Sequence, residues 1–130
     1  MPDMKFFIIM AMIFCHIVDD FYLQGILAQM KQKDWWPKFY PSSMYKKDYL
    51  VALIMHGFSW SFMVHLPIVA YTMITKSGGY LVIGVSCIGN ALAHAIIDHV
   101  KCNLKLISLI QDQIMHMLQI ALIFVTIFVL

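Results

Sequence analysis

The sequence contains no arginine and no glutamate: its nine basic residues are all lysines and its seven acidic ones all aspartates. Only 12% of its 130 residues are charged. A soluble domain carries roughly 25%, so the scarcity excludes an ordinary water-soluble globule. A formal charge of +2 and the lack of a Gly-rich phosphate loop argue against a nucleic-acid partner. The three cysteines, Cys15, Cys87 and Cys102, are odd in number, widely spaced and without a CxxC, which excludes a disulfide framework and a thiolate zinc site. They read as small apolar packing residues. No small-x-small cleavage site follows the run FFIIMAMIF after Lys5, so the first apolar segment is expected to remain as a span and not to be removed as a signal.

What is present in abundance is apolar surface, 62% of the residues. Four stretches, 4–30, 48–75, 80–100 and 106–130, are each near or above the ~20 residues that cross a bilayer as helix. The expected fold is all-α, a four-helix transmembrane bundle forming one integral membrane domain over 1–130. With four spans, the loops after the first and third helices share one side. Those loops and their flanks hold Lys31, Lys33, Lys38, Lys46, Lys47, Lys101 and Lys105, against Lys5 and Lys76 on the other side. The excess of positive charge predicts that both termini face out. Between helices 1 and 2, KQKDWWPKFYPSSMYKKDY interleaves lysines with aromatic rings, and Pro37 and Pro41 prevent a long helix. Such a loop is expected to lie in the headgroup layer near anionic lipid, or to cover a site beneath it. Pro67 is expected to kink the second helix, and Gly84 and Gly89 to permit close helix contact.

Ionisable residues interrupt all four apolar stretches, and each costs about 2.5–3.5 kcal/mol at a helix centre unless compensated. His16 with Asp20, His94 with Asp98, and Asp112 with His116 are each four residues apart, so each pair is expected on one helix face. One such pair is ordinarily a surface hydrogen bond; three in apolar segments point to a shared centre. His56 lies at a matching depth. The expected ligand set is therefore His16, Asp20, His56, His94, Asp98, Asp112 and His116, nitrogen and oxygen donors suited to two divalent ions, Zn first, with Mn or Fe next. The lack of Glu lowers a di-iron redox reading. Asp20, Asp98 and Asp112 are the expected catalytic carboxylates, acting as ligands that activate water. Lys101 and Gln24 are expected to meet substrate, Gln24 or Gln119 to orient ligands, and His65 and His99 to be structural. The spacing leaves Asp19 open as an alternative to Asp20.

HIVDDFYLQ, HAIIDHVK and DQIMH, with His56 between the first two, resemble the motif set of a family of small bacterial and phage integral membrane proteins in which HxxxDxxLQ, a helix histidine, HxxxDxxK and DQxxH recur. The resemblance covers nearly the whole chain. More distantly, the arrangement is similar to the membrane-bound metal-dependent hydrolases. It implies a bacterial inner-membrane location and matches His16, Asp20, Leu23, Gln24, His56, His94, Asp98, Lys101, Asp112, Gln113 and His116 to motif positions, favouring Asp20 over Asp19. The expected activity is metal-dependent hydrolysis of a phosphoryl or acyl ester, lipid-linked or anionic, reached from the cytoplasmic side. Membrane lipid is the expected partner, and a homo-oligomer is compatible. Two other classes are open: a metal-ion or proton transporter, whose polar residues should continue to the outer side, and a structural or pore-forming phage membrane protein.

Overall fold

A computed structural model of the chain describes residues 2–128, and every regular element in that range is helical. Helix α1 (Pro2–Ile17) runs on into a widened π-helical turn, Val18–Leu23. The first connection contains α2 (Leu27–Met30), α3 (Trp36–Phe39) and a 3-10 turn (Ser43–Tyr45). Then follow α4 (Tyr49–Thr75), α5 (Tyr80–His99) with a second π turn (Val100–Leu104), and α6 (Leu109–Phe128). Four of these helices are long and apolar enough to cross a membrane.

Three boundaries differ from the sequence expectation. The first span ends near Leu23 and not at 30, because Gly25 takes φ +51, a left-handed conformation that glycine adopts without steric cost. The chain turns there. The third span continues past 100 as its π turn, to Leu104. The fourth begins at Leu109, later than 106, where Ser108 and Gln111 form a capping box: Ser108 Oγ accepts from the Gln111 N–H at 3.3 Å, and Gln111 Oε1 accepts from the Ser108 N–H at 2.8 Å. Its expected end at 130 lies outside the described residues. Helix α4 runs without interruption through Pro67.

Burial is inverted relative to a soluble protein. Phe6, Phe7, Phe14, Phe21, Ile88 and Leu118 face outward, while His16, His56, His94, Asp98, Asp112 and His116 are buried. In lipid this arrangement places apolar side chains against acyl chains and lets polar groups satisfy one another inside. The interior has two layers. Ile8, Met12, Val64, Ile68, Ile83, Ile120 and Ile123 fill one, and the ionisable residues fill the other, with Trp60 between them.

Close contact between α4 and α5 is made at Gly57. A Cβ there would stand 2.5 Å from the Ala91 carbonyl oxygen and 3.2 Å from Ala95 Cβ. Gly84 and Gly89, expected to serve close packing, instead face open space with nothing within 4 Å.

Candidate metal centre

His56 on α4, His94 on α5 and Asp20 on the first π turn bring their polar atoms together. His56 Nε2 lies 3.2 Å from His94 Nε2 and 3.2 Å from Asp20 Oδ1. Asp98 Oδ2 stands 3.4 Å from the same His56 nitrogen. On α6, His116 Nε2 is 3.4 Å from Asp112 Oδ1 and 3.7 Å from Asp98 Oδ1. Donor atoms around a tetrahedral metal at roughly 2.0–2.1 Å are separated by about 3.3 Å, so these spacings suit an ion. Three groups meet the requirement for holding one: Asp20, His56 and His94; His94, Asp98 and His116; Asp20, Asp112 and His116. Every pair of groups shares one residue. Two ions would therefore need a common ligand, and Asp20, with two oxygens, is the carboxylate common to two groups.

Unpartnered atoms mark the same place. His116 Nε2 and Asp112 Oδ1 are buried without a hydrogen-bond partner, although buried polar groups are nearly always satisfied. The hydrogen bonds around His116 explain which nitrogen is bare: its Nδ1–H donates to Gln119 Oε1 at 3.1 Å, and Gln119 Nε2 in turn donates to the carbonyl oxygen of Asn90 at 3.3 Å. With Nδ1 engaged, Nε2 is the nitrogen left to offer a metal its lone pair.

His16, expected among the ligands, is placed outside all three groups. The indole N–H of Trp60 donates to His16 Nδ1 at 2.7 Å, so the proton sits on Nε2, which donates to Gln113 Oε1 at 3.0 Å. Both ring nitrogens are used. The Gln113 amide then donates to Asp20 Oδ2 and to Asp112 Oδ2, each at 3.0 Å. His16 acts through this chain to orient two carboxylates. The π turn begins at Val18, between His16 and Asp20, so the pair is not joined by a regular α-helical turn, and the Gln113 side chain bridges them.

The same π turn distributes two successive carboxylates along one face of α4. Asp20 meets His56, whereas Asp19 Oδ1 accepts from the Ser59 hydroxyl at 2.6 Å and its other oxygen stands 3.7 Å from His56 Nδ1. Asp19 thus lies behind His56, on the side away from His94. Trp60, one turn after His56, stacks on His94 with ring centroids 4.3 Å apart and closes the polar layer from the apolar one.

Two lysines complete the charge. Lys31 is 4% exposed, its ammonium 2.5 Å from Asp98 Oδ2. Asn103 holds it there, donating to the Lys31 carbonyl at 2.9 Å and accepting from the Lys33 N–H at 2.7 Å. Lys101, expected to meet substrate, is paired with Asp112 at 2.6 Å. Four carboxylates, Asp19, Asp20, Asp98 and Asp112, stand against these two ammonium groups, a deficit of two charges. One divalent cation offsets it, and a second would leave two positive charges to be balanced by hydroxide or an anionic substrate. Gln24, also expected at substrate, donates to the Asp20 backbone carbonyl at 2.9 Å. His65 bonds Ser61 and Ser86 away from the cluster, and His99 stacks on Tyr49.

Sequence reasoning missed Lys31, Trp60 and Asn103. Trp60 had a signal, its four-residue spacing from His56; Lys31 had none, since the turn at Gly25 delivers it. No family model matches the chain, no curated protein does, and no solved structure does.

Proposed function

We propose that the protein is a membrane-embedded, metal-dependent hydrolase acting on a phosphoryl or acyl ester of an anionic, lipid-linked substrate from the cytoplasmic side. One observation carries the reading: buried His and Asp donors on all four spans face one another at metal-ligand spacing, with His116 Nε2 and Asp112 Oδ1 unpartnered. Asp20, His56 and His94 would hold one ion, and Asp112 with His116 a second that shares Asp20. The donor set favours Zn, then Mn or Fe(II). A bound ion supplies Lewis acidity and lowers the pKa of water for attack on the ester. The chain's own groups do the rest. Gln113 and Gln119 hold the carboxylates and His116 in register, Trp60 separates the site from the apolar layer, and Lys31 and Lys101 offset the charges of Asp98 and Asp112. The likeness of the motifs to membrane-bound metal-dependent hydrolases points the same way.

Elemental analysis after mild detergent purification should find about one ion per chain or more. His94→Ala should lose it and His65→Ala retain it, although the latter strands buried partners and costs about 1–3 kcal/mol of stability. Metal below about a tenth of an ion per chain, with no rebinding of Zn or Mn, defeats the reading.

A proton-transport reading has one observation in its favour. From His116 a hydrogen-bonded series runs through Gln119 and Asn90 to Ser86 and His65. Beyond His65 the interior is Ile68, Ile83 and Ile123, all buried, and the Thr72 hydroxyl is spent on the Ile68 carbonyl. The series ends in an apolar layer, which favours the hydrolase.

A further inference from the structure

The connection between α1 and α4 encloses a cavity of about 520 Å³ at the end of the bundle nearest the His and Asp cluster. Its walls include Trp36, Tyr40 and Tyr45, consecutive rings in contact with centroids 5.8 and 5.1 Å apart, together with Lys33, Lys46 and Lys47. Lys31, Lys101 and Lys105 are each paired with an aspartate. Lys33, Lys46 and Lys47 pair with no carboxylate among the described residues. Asp34 also lines the cavity but is engaged with Lys105 at 3.8 Å. The cavity thus offers three unpaired ammonium groups against one carboxylate, Asp34, and an aromatic wall, within the size range of small-ligand sites.

We propose that this cavity is a head-group site for a phosphate-bearing anion, the phosphate meeting Lys33, Lys46 and Lys47 and the neighbouring polyol or glycerol portion lying on the rings. Its position favours a lipid source. Tyr49, which lines the cavity, is the first residue of a membrane-crossing helix, so the opening lies at the membrane edge where lipid phosphates reside. The site is also tied to the cluster. Lys33, in its wall, is two residues from Lys31, on Asp98, and Asn103 clasps both backbones. Two residues span at most about 7 Å of chain, so a head group seated here meets the same short segment whose Lys31 pairs with Asp98. The inference stands apart from the metal reading, because its test needs neither ion nor turnover.

The test follows tryptophan fluorescence of the full chain in neutral detergent, since Trp36 lines the cavity, while short-chain phosphatidylglycerol is added. The expected result is saturable binding, at least about tenfold tighter than for phosphatidylcholine of the same chain length, where the choline cation cancels the phosphate charge. Lys33→Gln, Lys46→Gln and Lys47→Gln should each weaken it about fivefold. Lys38→Gln, in the same loop but outside the cavity, should change it less than about twofold. Parallel titrations with inorganic phosphate and glycerol 3-phosphate separate the sources. Competition by either at the lipid's own affinity keeps the phosphate site and makes a soluble ester its ligand; competition only at far higher concentration assigns the lipid. Equal effects of Lys38→Gln and Lys46→Gln, or phosphatidylcholine binding as well as phosphatidylglycerol, would overturn the proposal and reduce the loop to a diffuse basic surface.

Discussion

Lys31 buries its ammonium group against Asp98, and Asn103 grips the Lys31 carbonyl and the Lys33 N–H. Breaking a buried pair by removing one partner costs roughly 3–5 kcal/mol, because the remaining charge is stranded. Lys31→Met, which keeps length and removes charge, should therefore lower stability by about that much in metal-free protein. It also enlarges the cluster's charge deficit from two to three. Added Zn should then raise the thermal midpoint of the variant more than that of the wild type; equal shifts in a melting experiment would show that Lys31 and a cation do not share one electrostatic site. This residue also marks the limit of what the sequence discloses. His94, Asp98, Asp112 and His116 were legible because an uninterrupted helix returns a side chain to the same face after four residues, and apolar neighbours make ionisable ones conspicuous. Lys31 looked like one more loop lysine, since a contact 67 residues away in the chain leaves no local pattern.

Helix α4 approaches α5 at Gly57, flanked by the two histidines that matter most. His56 precedes Gly57, His94 precedes Ala95, and a Cβ at Gly57 would meet the Ala91 carbonyl at 2.5 Å. The closeness of the backbones is what allows His56 Nε2 and His94 Nε2 to reach 3.2 Å. Gly57→Ala should force the helices apart, costing about 1–3 kcal/mol as overpacking and weakening metal retention together. Gly84→Ala and Gly89→Ala, in open space within α5, should leave metal retention unchanged and stability unchanged or raised by up to about 1 kcal/mol. Unfolding and bound metal measured on the three variants decide this; a Gly57→Ala protein as stable and as metal-loaded as wild type would remove the close contact from the explanation. At this scale the four spans were legible from length and hydropathy alone. Their ends were not. A π turn has the same composition as the α-helix it extends, so neither Val18–Leu23 nor Val100–Leu104 could be read. The glycine pair at 84 and 89 had the right composition for contact, but which face meets a neighbour is decided by the partner helix.

Four spans put both termini and the 76–79 turn on one side of the membrane and the aromatic connection and the 105–108 turn on the other. The buried pairings change the charge count that sets direction. Lys31 and Lys101 are engaged with Asp98 and Asp112, which leaves Lys33, Lys38, Lys46, Lys47 and Lys105 as surface charges at one end, against Lys5 and Lys76 at the other. Five against two still favours the aromatic connection inside. That orientation would put the cluster in the cytosolic half of the proposed hydrolase and the lysine-walled cavity among the anionic lipids of the inner leaflet. Single cysteines at Ser43 and Ser108, both exposed, on a background with Cys15, Cys87 and Cys102 replaced by alanine, should resist an impermeant thiol reagent in intact cells and react once the cells are permeabilised. A cysteine at exposed Ser77 should react without permeabilisation. Labelling of Ser43 and Ser108 from outside would invert the protein: the buried cluster and its ligand geometry would stand, while the cavity and the proposed substrate entry would belong to the outer leaflet.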